Sequence, residues 1–107
     1  MKQTALITGA SNGIGLELAR IHAKRGGNLV LVARSQDKLN QLADELRAQH
    51  HDIQITVIAQ DLAAPHAAQS VFAQTEQLGI QVDILINNAG IGGHGRFLNV
   101  SWQKNNK

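Results

Sequence analysis

The groups best placed to do chemistry in this chain are backbone amides. Thr8-Gly9-Ala10-Ser11-Asn12-Gly13-Ile14-Gly15 sets three glycines between a short apolar run, Thr4 to Thr8, and a segment with helical spacing. A turn of this kind lets N–H groups approach a pyrophosphate closely, and the helix start behind it adds unpaired donors and a partial positive charge. The spacing is G-x-x-x-G-x-G, which departs from the common dinucleotide fingerprint G-x-G-x-x-G. Taken alone, such glycines could serve only a tight turn and close helix packing.

Few side chains compete for a chemical role. The five histidines fall at His22, His50, His51, His66 and His94, and no pair has the i, i+4 spacing of a helical metal site, so they read as solvated or satisfied. His94, in a glycine-rich loop, has the character of an acid/base group but no visible partner. The absence of Cys excludes a disulfide framework, a thiolate nucleophile and a Cys-ligated metal. The chain also contains no Tyr.

The elements that must position the glycine turn follow from hydrophobic periodicity, which alternates between continuous runs and helical spacing. After Thr4 to Thr8, Ile14, Leu18 and Ile21 mark a helix face that ends at Gly26-Gly27. Leu29 to Ala33 is a second strand. Ser35 is a candidate N-cap for a helix striped by Leu39, Leu42, Ala43 and Leu46 and reaching about Gln49. Ile53 to Ala59 is a third strand. Pro65 suits the first turn of a third helix, whose inner face reads Ala68, Val71, Phe72 and Leu78 and which Gly79 closes. Val82 to Ile86 is the fourth strand.

The order β-α-β-α-β-α-β with right-handed crossovers predicts an α/β fold: a partial Rossmann-like, doubly wound parallel sheet with strand order 3-2-1-4. Residues 1–98 form this single domain. Residues 99–107 are polar and lack an apolar period, so they are expected to be a frayed, disordered or aberrant tail. Two helices then lie on one sheet face and the third covers the other alone. The face beside the third helix and the edge of Val82 to Ile86 should be left open, which favours a homo-oligomer or aggregation.

Composition fits one globular domain, with 43% hydrophobic and 17% charged residues among 107. The net charge of +2 comes from scattered basic residues, which argues against a nucleic-acid partner. No run approaches the about 18 apolar residues of a membrane span, and the N-terminus has too short an apolar run for a signal peptide. A cytoplasmic setting is the expectation.

Thr-Gly-x-x-x-Gly-x-Gly after the first strand, Asp61-Leu62 after the third and Asn87-Asn88-Ala89-Gly90 after the fourth together resemble the short-chain dehydrogenase/reductase family. The resemblance runs from about Lys2 to Phe97 and covers less than half of the usual family domain. It implies a dinucleotide cofactor. Gly9, Gly13 and Gly15 would approach its pyrophosphate, with Ser11, Asn12 and Ile14 lining the loop. Asp61 and Leu62 would contact the adenine, while Asn88, Ala89 and Gly90 would border the adenine ribose and brace the sheet.

Enzymes of this fold that prefer NAD usually carry an Asp or Glu at the end of strand two to accept from the ribose 2′-OH. Here that end reads Val32-Ala33-Arg34-Ser35, with no carboxylate before Asp37. Arg34, with Ser35 beside it, offers a donor fork suited to a 2′-phosphate, so NADP(H) is expected over NAD(H). A solvated strand-end charge is the alternative for Arg34. Relatives that prefer NADP often have a basic residue just before the second glycine, and Asn12 stands there instead.

The resembled family protonates its substrate with a Tyr, assisted by a Lys and a Ser, with an Asn completing a water relay. None of these has a counterpart here, and Ser101, Lys104 and Asn105 match none of those positions. Three readings stay open: the cofactor-binding portion of a short-chain oxidoreductase, inactive as this chain; a nucleotide-binding or self-associating module without turnover; and a decayed product that keeps the pattern.

Overall fold

A computed structural model describes residues 2–88 and the backbone of residues 98–101. The elements run β1 (Thr4–Thr8), α1 (Gly13–Lys24), β2 (Asn28–Ala33), α2 (Gln36–Gln49), β3 (Ile55–Ala59), α3 (Ala67–Gln77), β4 (Ile84–Asn87) and β5 (Leu98–Ser101). β1 to β4 pair in parallel in the order β3-β2-β1-β4, as the periodicity predicts. Central strands of a parallel sheet are buried on both faces, and the apolar runs of β1 and β2 are accordingly inaccessible almost throughout.

The two faces are covered unequally. Ala5, Ile7, Leu29, Leu31 and Ile55 point to a core shared with α1 and α2, whereas Leu6, Val30, Val32 and Ile58 pack with Val71 of α3. α2 buries the predicted stripe of Leu39, Leu42, Ala43 and Leu46. Burying a large apolar side chain stabilises by about 1.5–3 kcal/mol, so three leucines anchor α2 firmly. α3 buries one large aliphatic, Val71, alongside Ala67 and Thr75, and is held less tightly.

Three expectations need correction. On α1, the packed residues are Gly15, Ala19 and Ala23, with Leu16 and Leu18 partly buried, while Ile14 and Ile21 are about half exposed, at 52% and 49%. Small residues let the helix backbone approach the sheet, so the buried stripe carries little hydrophobicity and escapes an apolar count. On α3, the helix begins at Ala67, after Pro65, because a turn closed by the Asp61 carboxylate and carbonyl occupies the residues before it. His66 caps that helix in the left-handed region at φ 62°. The buried face is Ala67, Val71 and Thr75, at i, i+4 and i+8, while Ala68, Phe72 and Leu78 are exposed. Thr75 tolerates burial because its hydroxyl donates to the Phe72 carbonyl at 2.7 Å.

The third correction concerns the tail and the β4 edge. Leu98–Ser101 pairs antiparallel with β4, so that edge is covered, and three residues of the expected unstructured tail belong to a strand. Residues 102–107 lie outside the described residues.

α1 ends by a Schellman arrangement at Gly26, φ 85°: Gly27 N–H donates to His22 O and Gly26 N–H to Ala23 O. The His22 ring lies across Gly27 and its Nε2 donates to the Gln3 carbonyl at 2.9 Å. A Cβ at Gly27 would sit 2.0 Å from that nitrogen. Between the helices, Arg20 of α1 donates through Nε and Nη2 to the carboxylate of Glu45 on α2 and through Nη1 to Glu17. Those contacts, led by the Glu45 hydrogen bond, raise the pKa of Arg20.

Gly27→Ala is expected to cost about 1–3 kcal/mol by overpacking. In a double-mutant cycle followed by urea unfolding, the cost should shrink when His22 is already Ala. An equal cost in both backgrounds would show that the ring is not what excludes the methyl group.

Candidate functional site

β1 delivers Thr8 to the C-terminal edge of the sheet, and the chain reverses at Gly9, whose φ of 65° suits glycine. Ala10, fully buried, donates its N–H to the Val32 carbonyl at 3.2 Å and ties the turn to β2. Asn12, extended, caps α1 without a side-chain hydrogen bond, and the first turn holds no acidic residue. The opening amides of the helix therefore keep the donors and the positive dipole end that every helix start carries.

The two glycines at that start have different reasons to be glycine. Gly13 has φ 62° and open space where a Cβ would point, with nothing within 4 Å. At Gly15 a Cβ would lie 2.3 Å from Gly9 O and 2.7 Å from Asn88 Nδ2. Helix, turn and the end of β4 meet there with no room between them.

A polar latch holds the same junction. The Thr8 hydroxyl donates to Asn87 Oδ1 at 2.9 Å and accepts from Asn88 N–H at 2.8 Å, while Asn88 Nδ2 donates to Gly9 O at 3.4 Å. Thr8 is 6% exposed, whereas Asn87 is exposed and Asn88 half-buried, so the latch is buried on the Thr8 side. Thr8 and Asn87 were not among the residues singled out from sequence as ligand contacts. Their signal was present in the Thr before Gly9 and in the Asn doublet.

The other candidates sit at the same edge. Arg34 follows β2, is exposed and makes no ion pair with a described residue. Ser35 is the N-cap of α2, its hydroxyl accepting from Lys38 N–H at 3.3 Å. Asp61 follows β3, its exposed carboxylate accepting from Ala63 N–H at 2.9 Å, and Leu62 is half-buried against the α3-side core. Ser11 and Ile14 flank Gly13, Ile14 in the open. Ala89, Gly90 and His94 lie outside the described residues.

The described positions among them gather at the C-terminal edge of the parallel strands. In the order β3-β2-β1-β4 the winding reverses between β1 and β4, and open α/β sheets bind ligands in the crevice at that reversal. Thr8, Gly9, Asn87 and Asn88 stand on either side of it. A separate groove lined by Phe72, Thr75, Glu76, Gly79, Ile80 and Val82 is at the opposite end of β4 and holds none of the candidates.

The profile of the short chain dehydrogenase family matches residues 3–107, and the chain belongs to that family. It is 41% identical over 99 residues to oxidoreductase UcpA of Salmonella typhimurium, covering 92% of this chain and 36% of that protein. The L-sorbose reductase of Gluconobacter frateurii, solved with NADPH and L-sorbose, superposes with a TM-score of 0.78 at 38% identity over 86% of this chain and 35% of its own. A short-chain dehydrogenase of Sphingobium yanoikuyae, solved with NADPH, gives 0.74 at 40% identity over 83% and 34%. The chain thus spans about a third of the length of these relatives. No helix among the described residues is long and apolar enough to cross a membrane.

Thr8→Val keeps the shape and removes both hydroxyl bonds, leaving Asn87 Oδ1 and Asn88 N–H without them. A loss of about 0.5–1.5 kcal/mol, the net worth of a typical hydrogen bond, is expected, read as a lower urea midpoint at unchanged slope. A midpoint within error of the parent would mean that the latch adds nothing to stability.

Proposed function

We propose that this chain is the cofactor-binding portion of an NADP(H)-dependent short-chain oxidoreductase acting on a carbonyl or alcohol. The observation that carries the reading is the start of α1 at the sheet's switch point, where the N-cap Asn12 makes no side-chain cap bond and Gly13 is left-handed and faces open space. A side chain there would enter the volume that the phosphates need.

In this reading the amides of the turn Gly9, Ser11, Asn12, Gly13, Ile14 and Gly15 receive the pyrophosphate. Asp61 and Leu62 border the adenine, and Asn88, Ala89 and Gly90 border its ribose. Arg34 takes the 2′-phosphate through its guanidinium fork, with Ser35 adjacent, and no carboxylate at the end of β2 competes for a 2′-OH. Both solved relatives named above hold NADPH. When bound, the cofactor supplies or accepts the hydride; this chain's residues bind and orient it.

A second reading, a nucleotide-binding module without turnover, draws support from the composition. Hydride transfer to a carbonyl leaves an alkoxide that must be protonated, and the sequence holds no Tyr to do so. Tight NADPH binding without oxidation of the cofactor in the presence of ketones and aldehydes is expected of the 107-residue chain. Turnover would show that another acid, such as His94, serves.

Fluorescence titration with NADPH should saturate, and no saturable signal up to millimolar cofactor would overturn the binding reading. Arg34→Asp should weaken NADPH relative to NADH by about ten- to a hundredfold, the worth of a charge-assisted hydrogen bond. An unchanged ratio would remove Arg34 from that role.

A further inference from the structure

We propose that Asn12-Gly13 is a modification site at which Asn12 deamidates spontaneously, and that the carboxylate so formed weakens the hold of the glycine turn on cofactor phosphates. Deamidation follows from this peptide bond alone; the loss of affinity rests on the proposed reading of the turn as a phosphate site.

The sequence contains one Asn-Gly dipeptide, and it falls inside Thr8 to Gly15. Asparagine loses its amide when the backbone nitrogen of the next residue attacks Cγ. The N–Cγ bond forms, the Cγ–Nδ2 bond breaks, and ammonia leaves with the proton of the attacking amide. Solvent water then opens the resulting succinimide at either carbonyl. The products are aspartate or, with the chain rerouted through the side-chain carboxyl, isoaspartate. No oxidant takes part.

Three features leave this step open here. A Cβ on the following residue hinders the approach of its nitrogen, and Gly13 has none; at φ 62° it faces open space, with nothing within 4 Å of where a Cβ would sit. The Asn12 side chain is exposed and makes no cap bond, so its amide is free to turn toward that nitrogen. Gly13 opens α1, where an N–H has no intrahelical acceptor to hold it. Other asparagines are held. Asn28 Oδ1 accepts from Gln54 N–H, Asn87 Oδ1 accepts from the Thr8 hydroxyl, and Asn88 Nδ2 donates to Gly9 O. Asn40 lies within α2, where the next amide belongs to the helix ladder.

The new charge acts through the cap position. A carboxylate at the N-cap accepts from the first-turn amides and is favoured by the positive end of the helix dipole. It therefore stabilises α1 while taking up the donors that an incoming phosphate would use, and it repels that phosphate. In the aspartate product stability and affinity move in opposite directions, which damage to the fold would not produce.

The test incubates the 107-residue chain at neutral pH for days and then releases Gln3 to Arg20 with trypsin, a fragment with Asn12 as its one asparagine. Mass spectrometry should find that fragment converted to aspartate and isoaspartate isomers, while the peptides carrying Asn28 and Asn40 stay amidated. The converted protein should bind NADPH about tenfold more weakly than fresh protein, the order of one like charge placed near a phosphate. Asn12→Gln, whose longer side chain closes the ring far more slowly, should keep its own starting affinity over the same incubation. Asn12→Asp should show the tenfold loss from the outset together with a raised urea midpoint. A fragment that stays amidated would overturn the modification site. Conversion without change in NADPH affinity, or an Asn12→Asp variant that binds as the parent does, would overturn the effect on the turn. A fresh parent that binds no NADPH would overturn the cofactor reading and that effect together, and the modification would then stand or fall by mass.

Discussion

A side chain at position 15 would have to share space with the carbonyl of Gly9, and from that contact the rest of the site follows. Because the start of α1 presses on the turn, the turn cannot relax outward, and because Asn88 Nδ2 reaches the same carbonyl, the end of β4 is fixed to both. Thr8 adds a hydroxyl that gives to Asn87 and receives from Asn88, so the crevice between β1 and β4 has one geometry. Packing and hydrogen bonding act here on the same few atoms. Nearly every atom involved belongs to backbone, Thr or Asn.

The order and type of the elements were legible because each strand is a continuous apolar run and each helix is bounded by a cap or a glycine. α2 was legible in detail, its four buried residues all being apolar and flanked by charge. α1 and α3 were not, for a common reason: a helix face can be buried for closeness or for hydrogen-bond satisfaction as well as for hydrophobicity. Gly15, Ala19 and Ala23 are buried to bring backbones together, and Thr75 is buried with its hydroxyl satisfied locally, while Ile14, Ile21, Phe72 and Leu78 stay outside. β5 escaped notice because Leu-Asn-Val-Ser is too short to show a period, and what makes it a strand is the unpaired edge of β4.

The candidate site divides along the same line. Glycine spacing and the Asn doublet carry their geometry in local chemistry, since φ and close approach leave few alternatives to glycine. Arg34 and Asp61 are exposed side chains at strand ends, and the sheet brings them to one edge without fixing where they reach. In the proposed reading, recognition of the phosphates would rest on the fold itself, and discrimination between cofactors on side chains that meet a ligand only when it arrives.

Asp61 is also tied, through its neighbour Leu62, to the lightly anchored helix α3. Leu62 follows Asp61 directly and packs into the cluster that Val71 of α3 completes, so the loop after β3 and the docking of α3 share a contact. A ligand that holds Asp61 and Leu62 in place binds the folded state and adds RT ln(1 + [L]/Kd) to its stability. Because α3 buries a single large aliphatic whereas α2 buries three leucines, that gain falls first on α3 and the face it covers. The rigid junction at Gly9 and Gly15 needs no such support. Bound as proposed, a cofactor would therefore couple to folding through the β3–α3 loop more than through the glycine turn.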